Sequence, residues 1–316
     1  MIPNAIQDLK RAGLLGMNRR NAEYIMQVNP RSSYPKVDDK VLTKRLSQEH
    51  RIPTPPLYHV LHHHGDLSGL KSTLRNLHEF VVKPARGTGG SGILLIVDRA
   101  AHGFLQSTGE SISHEDLTYH IGSILSGIYS LEGLEDKALI EALIHPHPVF
   151  DPITYRGVSD IRIIVYRGVP VMSMVRLPTK ASDGKANLHR GAIAAGISIS
   201  TGVTLTAVHR SRIITRHPDT DHPVDGIQVP YWKQMLRMAA QSFEMTGLGY
   251  IGVDLIIDRE QGPLLLEMNA RPGLAIQLAN VAGLRGRLEM VDRTAPEVFN
   301  DVEDRVIWAM ETFTAP

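Results

Sequence analysis

Hydrophobic and polar residues alternate along two long segments of the chain, as they do in half-buried strands. Residues 160–177 ("DIRIIVYRGVPVMSMVRL") alternate on both sides of Arg167-Gly168, which predicts two strands joined by a tight turn. Residues 249–269 ("GYIGVDLIIDREQGPLLLEMN") predict a second hairpin. These segments indicate antiparallel pairing between neighbouring strands.

Shorter apolar runs predict three more strands, and capping residues mark the helices between them. The three runs are Phe80–Lys83, Ile93–Val97 and residues 138–144. Ser113 and Asp116 match a capping box, the pattern that begins a helix. The apolar positions expected on that helix are Leu117, Ile121, Ile124, Leu125 and Ile128. Further helices are predicted from Asp38 or Asp39 to about residue 50, between Pro230 and Gly247, and over 301–313. The fold class is therefore α+β.

Composition narrows the classes of protein that fit. The 316 residues suffice for one large domain or two lobes. Thirty-four Lys and Arg against 33 Asp and Glu give a net charge of +1, which argues against binding nucleic acid through bulk charge. The absence of cysteine excludes disulfides and thiolate chemistry.

One segment of 18 uncharged residues reaches the minimum length of a membrane helix. Residues 191–208 contain three glycines and five serines or threonines, which favours strand and loop over a membrane span. The first twenty residues have no apolar core of signal-peptide length. We therefore expect a cytoplasmic protein without a membrane span.

A glycine-rich loop lies between two of the predicted strands, in "FVVKPARGTGGSGILLIVD". Gly87, Gly89 and Gly92 match G-x-G-x-x-G, but a dinucleotide site also needs a helix after the glycines, and a strand pattern follows instead. A Walker loop is excluded because Ile93 follows Gly92. A hairpin whose backbone N–H groups close over phosphates fits, with Lys83 on the incoming strand. A surface hairpin with an unrelated lysine remains an alternative.

The second hairpin carries two carboxylates and an amide. A four-residue turn at Arg259–Gly262 would set Asp254 opposite Glu267, with Asn269 on the same face as Glu267. Few, hard oxygen ligands suit Mg²⁺ or Mn²⁺. A solvated acidic pair on the hairpin surface is the alternative.

Cationic residues follow in two loops. Arg271, in "ARPG", lies where it could meet a negative substrate group or a phosphate. Asn187 and Arg190, in "KANLHRG", form a second candidate cluster, although a loop arginine is more often simply solvated. His62, His63 and His64 are expected in a solvated turn.

The order of these motifs resembles the ATP-grasp superfamily, and most closely its RimK-type α-L-glutamate ligases. The motifs are a lysine before a glycine hairpin, "LIEALI", "NLHRG", "GVDLI" and "LLLEMNARPG", and the resemblance runs from about Lys40 to about Gly283. It implies an ATP-grasp fold in which two α+β lobes hold ATP between them, preceded by a short helical N-terminal extension. The implied domains are 1–36 for the extension, 37–141 for the N-lobe with its glycine-rich lid, and 142–316 for the C-lobe with a metal-binding hairpin.

The resemblance also implies roles for individual residues. Lys40 and Lys83 would bind the ATP phosphates, and Asp160 the ribose hydroxyls. Backbone groups of Glu141 and Leu143 would hold adenine. The implied lid residues are Gly87, Thr88, Gly89, Gly90, Ser91 and Gly92. The implied ligands of one or two Mg²⁺ (or Mn²⁺) ions are Asp254, Glu267 and Asn269, and the implied catalytic residues are Asn187, Arg190 and Arg271.

The activity implied by the resemblance is an ADP-forming carboxylate–amine ligase that passes through an acyl phosphate. The expected substrates are a carboxylate acceptor, either a peptide or a small acid, and a glutamate-like amino-acid donor. Related ligases carry a preceding domain, whereas about 36 residues precede the first motif here. The contribution of that domain to substrate binding is expected to be absent, reduced, or supplied by a second copy of the chain or a partner protein. A nucleotide-binding regulatory protein and an ATP-dependent phosphotransferase remain alternatives.

Overall fold

The computed structural model divides into two compact units. It describes residues 13–87, 89–130, 133–210 and 212–314. The first unit comprises Met1–Val37, Glu49–Pro53 and Pro146–Pro316, and the second comprises Asp38–Gln48 and Thr54–His145, each through its described residues. The domain boundaries expected from the sequence stay predictions, and in this division the N-terminal segment falls within the first unit.

Helices are short at the N-terminus and longer in the C-terminal half. The α-helices are α1 Met17–Arg19, α2 Met26–Val28, α3 Pro35–Asp38, α4 Lys40–Glu49, α5 Leu70–Thr73, α6 His114–Leu125, α7 Trp232–Thr246, α8 Ala275–Ala279, α9 Arg285–Arg293 and α10 Val302–Thr312. A π-helical turn, Arg20–Ile25, links α1 to α2. The 3₁₀ turns are Arg31–Ser33, His64–Gly69, Pro148–Ile153, Lys180–Ser182, Leu188–Arg190 and Pro296–Val298. None of the described helices is long and apolar enough to cross a bilayer.

Every strand pairs in an antiparallel manner. The strands are β1 Leu57–Leu61, β2 Phe80–Pro84, β3 Leu94–Ala100, β4 Gly103–Gln106, β5 Ser111–Ser113, β6 Ala138–Glu141, β7 Asp160–Tyr166, β8 Val169–Leu177, β9 Ile193–Ile197, β10 Thr204–His209, β11 Arg212–Ile214, β12 Tyr250–Asp258 and β13 Gly262–Asn269. The second unit holds the sheet β1-β6-β2-β3-β4-β5, and the first unit holds β11-β10-β9-β8-β7-β12-β13.

In the second unit, one face of the sheet is covered by α6. Phe80 and Phe104 of the sheet and Leu117, Ile121 and Ile124 of the helix are fully buried in one apolar core. Because β2 and β3 pair directly, the glycine loop joins two strands, as the sequence predicted. Strand β3 follows the glycines, as predicted, in place of the helix that a dinucleotide site would need.

Ser113 is the N-cap of the helix, as expected, but the helix ends earlier than its apolar pattern suggested. The Ser113 hydroxyl accepts a hydrogen bond from Asp116 N at 3.0 Å. The helix ends at Leu125 because Gly127 adopts a left-handed conformation, with φ of 79°. Ile128 therefore lies beyond the helix and is 67% exposed, so its expected place on the buried face was wrong.

The two predicted hairpins of the first unit are confirmed. Strands β7 and β8 are joined by Arg167 and Gly168, with φ of 49° and 81°, the pair of positive angles that a tight hairpin turn requires. Strands β12 and β13 pair Asp254 with Glu267 and Gly252 with Asn269, as expected.

The turn of the β12–β13 hairpin is one residue shorter than predicted. Asp258 pairs with Gly262, so three residues form the loop, and the Asp258 carboxylate accepts bonds from the N–H groups of Glu260 and Gln261 at 2.9 Å each. Leu266 is then the extra residue of a β-bulge, because Leu255 pairs with Leu265 while Asp254 pairs with Glu267. The bulge restores the register on which the acidic pair depends.

Replacing Ile121 with alanine should lower the free energy of unfolding by about 2–5 kcal/mol, because it leaves a cavity in the closed core of the second unit. Ile128→Ala removes the same atoms from an exposed side chain and should change stability by less than about 0.5 kcal/mol. Urea unfolding followed by circular dichroism measures both. Equal effects of the two variants would contradict this packing.

Candidate functional site

A cluster of buried charges lies at the centre of the first unit's sheet. Asp254 on β12 is directly opposite Arg162 on β7, so the two side chains meet across the strand pair. Arg162 Nε donates to Asp254 Oδ1 at 2.7 Å, and Arg162 Nη2 donates to Oδ2 at 2.5 Å. The Asp254 side chain is fully buried, so this bidentate pairing compensates a carboxylate removed from water.

Arg176 extends the cluster to a second aspartate. Asp160 opens β7 opposite Arg176 on β8, and the guanidinium binds both oxygens of Asp160. Arg176 Nη2 also donates to Asp254 Oδ2 at 2.9 Å. Burial alone would raise the pKa of Asp254, but Arg162 and Arg176 outweigh it and hold that pKa at about 2. Asp160, expected to bind ribose, is thus an ion-pair partner of Arg176 in this structure.

The other two expected metal ligands lie beside Asp254. Asn269 Nδ2 donates to Asp254 Oδ2 at 3.3 Å, and Glu267 on β13 is directly opposite Asp254 on β12. Three carboxylates, from Asp160, Asp254 and Glu267, face two guanidiniums, so the formal charge of the cluster is −1. Glu267 and Asn269 are half-buried, in contrast to the fully buried Asp254.

Glu267 and Asn269 could supply part of the ligand set of a hard divalent cation, whereas both oxygens of the buried Asp254 are bound by Arg162 and Arg176. Carboxylate and amide oxygens suit Mg²⁺, which usually keeps several waters and takes few protein ligands. No group of three His, Cys, Asp or Glu side chains in the described ranges could hold a metal on its own. His62, His63 and His64 are exposed, and His63 Nδ1 lies 3.0 Å from Asp66 Oδ1.

The two cationic loops of the first unit expose their arginines. Asn187 Oδ1 accepts a bond from His189 N at 2.9 Å and caps the turn that carries Arg190. Gly191, with φ of 103°, ends that turn, and the Arg190 side chain just before it is exposed. Arg271, one residue after Ala270, is also exposed, and its guanidinium lies 5.4 Å from the centre of the Tyr34 ring.

In the second unit, Glu141 holds two lysines. Lys83 on β2 pairs with Glu141 Oε1, and Lys44 Nζ lies 2.8 Å from Oε2. All three side chains are at most 9% exposed. Burial would raise the pKa of Glu141, but Lys83 and Lys44 lower it, so the carboxylate stays charged. The Glu141 side chain, given only a backbone role by the resemblance, therefore positions Lys83.

The glycine loop is anchored at both ends and open in the middle. Lys40 Nζ donates to Gly87 O at 2.9 Å, and His120 Nε2 lies 3.0 Å from Gly92 O. Gly89 and Gly90 have φ of 62° and 77° with no atom within 4 Å of an added Cβ. Gly89 and Gly90 therefore lie in open space with backbone angles that favour glycine.

The structure says less about the other residues of the second unit that the resemblance assigns to the ATP site. Ser91 is exposed and Leu143, just after β6, is half-buried. Ala142 N, between Glu141 and Leu143, donates to Pro56 O at 2.9 Å. Thr88 lies outside the described residues.

Sequence reasoning passed over Lys44, and for Arg162 and Arg176 on the hairpin strands it left substrate contact and salt bridge as alternatives. Lys44 is four residues after Lys40, so the spacing of a helix face was the available signal. For the arginines, the signal was strand register. Arg162 is two residues from Asp160 on one face of β7, and Arg176 is opposite Asp160 in the hairpin.

Comparison with known proteins agrees with the motifs. The model of the family described as "Sugar-transfer associated ATP-grasp" matches residues 19–293. The probable alpha-L-glutamate ligase of Sodalis glossinidius is 25% identical over 194 residues, covering 61% of this chain and 44% of that protein. The protein of the same name from Thioalkalivibrio sulfidiphilus is 23% identical over 265 residues, covering 84% of this chain and 66% of its own. A crystal structure of a D-cycloserine synthetase aligns with a TM-score of 0.46 at 16% identity, over 84% of this chain and 71% of the other.

Fold, motifs and family match together define an ATP-grasp protein. More narrowly, the chain belongs to the sugar-transfer associated ATP-grasp family. It spans only 44% of the length of the first glutamate-ligase relative.

Replacing Asp254 with asparagine should lower the free energy of unfolding by about 3–5 kcal/mol, because Arg162 and Arg176 lose a shared buried counter-charge. Asp221→Asn is the matched control, since Asp221 pairs with Arg216 on the surface and should cost at most about 1 kcal/mol. Chemical unfolding of both variants gives the comparison. A small, equal loss in each would show that the buried cluster is not the stabilising feature.

The contribution of Asp254 to the free energy of unfolding should depend on pH only below about pH 4. The pKa of Asp254 falls from an ordinary 3.8 to about 2 in the folded chain, so its contribution is complete above about pH 4 and is lost as pH falls towards 2. The stability difference between the wild type and Asp254→Asn should therefore be constant from pH 6 to 4. It should shrink below pH 4 by roughly 1.4 kcal/mol per pH unit. A difference that stays constant down to pH 2.5 would contradict the assignment.

Proposed function

We propose that the protein is an ATP- and Mg²⁺-dependent ligase that joins a carboxylic acid to an amine. The observation that carries the proposal is the acidic hairpin, in which Asp254, Glu267 and Asn269 meet within a family of ATP-grasp proteins. The names of the glutamate-ligase relatives support an amino acid as the amine. The acceptor that we propose is a peptide or a small acid.

In the proposed reaction, a carboxylate oxygen of the acceptor attacks the γ-phosphorus of ATP, and ADP leaves. The acyl phosphate so formed is attacked at its carbonyl carbon by the amine. Inorganic phosphate then leaves, and the amine nitrogen loses a proton. Both steps require positioning and neutralisation of charge rather than a protein nucleophile, which agrees with a chain that contains no cysteine.

Each residue set supplies one part of that chemistry. Lys40 and Lys83 would neutralise ATP phosphates, and Glu141 would hold the Lys83 ammonium in place. The lid from Gly87 to Gly92 would exclude water from the acyl phosphate. Glu267 and Asn269, with Asp254 behind them, would hold Mg²⁺, which supplies charge neutralisation at the transferred phosphoryl group when bound.

Exposed arginines would complete the anion-binding groups of the first unit. Arg190 and Arg271 carry full positive charges at the surface, and the loop turns at Asn187 and Ala270 fix where their backbones lie. We assign them to the negative oxygens of the phosphate and the carboxylate. Asp160 would act through Arg176, to which it is bound.

A substrate screen tests the proposal. Acids and amines are tested in pairs for stimulated release of ADP and phosphate, and hydroxylamine replaces the amine to trap an acyl phosphate as a hydroxamate. Lys83→Ala should lower turnover about 100-fold or more while leaving Glu141 paired with Lys44. Glu267→Gln should act similarly without removing the buried Asp254. Asp221→Asn, on the surface, should match the wild type.

Two results would overturn the proposal. If Mg²⁺-dependent ATP binding occurs but no pair stimulates ADP release, the protein is a nucleotide-binding module. If ADP appears without phosphate, together with a phosphorylated acceptor, the protein is a phosphotransferase.

A further inference from the structure

The N-terminal segment Arg20–Tyr34 contacts the loop that follows the acidic hairpin. Asn29 is 6% exposed, and its side chain accepts a bond from Tyr250 N at 2.8 Å. Its Nδ2 donates to Tyr250 O at 2.8 Å and to Ala270 O at 3.3 Å. Tyr250 is the first residue of β12, and Ala270 follows the last residue of β13. One amide therefore ties the two ends of the hairpin together.

Two glycines show how closely the backbone at and just before β12 approaches the N-terminal segment and the loop after β13. Gly249 N donates to Val28 O at 3.0 Å, and a Cβ on Gly249 would lie 2.6 Å from Val28 Cβ. A Cβ on Gly252 would lie 2.6 Å from Pro272 Cβ. No larger residue fits at either position without displacing its neighbour, so the backbone of β12 is matched to both segments.

Arg20 brings a buried positive charge to the same loop. It begins the π-helical turn Arg20–Ile25, a rare conformation that is frequent at functional sites. The Arg20 guanidinium donates to Pro272 O and to Asn21 Oδ1, which are both neutral acceptors. Because Pro272 directly follows Arg271, the bond to Pro272 O places the Arg20 guanidinium at the backbone next to Arg271. Burial lowers the pKa of Arg20, and the like charge of Arg271 acts in the same direction.

Tyr34 restrains the second of these guanidiniums. The Arg271 Cζ atom lies 5.4 Å from the centre of the Tyr34 ring, within the range of a cation–π interaction. Arg271 is exposed, so its side chain would otherwise sample many rotamers. The ring reduces that freedom while the N–H groups remain available to a ligand.

We propose that Arg20 and Arg271 form an oxyanion subsite, in which Tyr34 and Asn29 are positioning residues for the loop that carries Arg271. The inference rests on the proposed function, in which Arg271 meets a phosphate or a carboxylate. Two neighbouring guanidiniums with neutral or aromatic partners favour a ligand that carries negative oxygens. The N-terminal segment is thereby part of the substrate-binding apparatus.

Titration calorimetry with inorganic phosphate, in the presence of saturating Mg²⁺ and ADP, tests the subsite on the full chain. Tyr34→Ala should weaken phosphate binding roughly three- to tenfold, whereas Tyr34→Phe keeps the ring and should stay within about twofold. Tyr155→Ala is the matched control, because it removes a second cation–π pair, with Arg156 at 5.6 Å. It should leave phosphate binding unchanged. The affinity for Mg²⁺–ADP should be the same in all four proteins.

A double-mutant cycle separates positioning from general loosening of the structure. If Tyr34 acts through Arg271, Tyr34→Ala should weaken phosphate binding in the wild type but add nothing in an Arg271→Ala background. A parallel titration with L-glutamate distinguishes the two sources of the oxyanion. A loss confined to phosphate assigns the subsite to the phosphoryl group, and a loss confined to glutamate assigns it to the carboxylate.

The outcomes separate this inference from the proposed function. Wild-type binding of Mg²⁺–ADP with equal anion binding by the wild type and Tyr34→Ala overturns the inference and leaves the function standing. Binding of Mg²⁺–ADP without either anion has the same consequence. A wild-type protein that binds neither Mg²⁺–ADP nor an anion overturns both.

Discussion

Burial of the Asp254 carboxylate is the constraint on which the first unit depends. An isolated charge at that depth would be strongly destabilising, and the chain meets the requirement with arginines on the adjacent strands. Those arginines can reach Asp254 only when β7, β8 and β12 pair in the observed register. Charge compensation and sheet register therefore specify each other, and a slip of one residue would leave both sides unpaired.

In the second unit, a buried carboxylate is also compensated by buried cations, but these cations are lysines. Glu141 lies between two ammonium groups instead of two guanidiniums, so this cluster keeps one positive charge in excess. Arginine forms planar, bidentate pairs that fix geometry, whereas lysine is a mobile point charge that can exchange one oxygen for another. The arginine cluster therefore fixes its geometry more firmly than the lysine cluster does.

The sequence predicted most of the fold because local patterns decide it. Alternation identified both hairpins, and the pairing of Asp254 with Glu267 was correct although the turn was one residue too long and the bulge at Leu266 was missed. The errors cancelled because each shifts the register by one. Contacts such as Tyr34 with Arg271, and Asn29 with Ala270, join residues more than 200 positions apart, and no local pattern reports them. Lys44 was missed because burial of a lysine cannot be read from helix spacing.

The bulge at Leu266 also bears on how this hairpin can change over evolutionary time. The tip, from Asp258 to Gly262, and the open end, at Asp254 and Glu267, follow two registers that meet at the bulge. A change in loop length at the tip can be absorbed there before it reaches the acidic pair. The hairpin thus separates a region free to diverge from one that must stay in alignment.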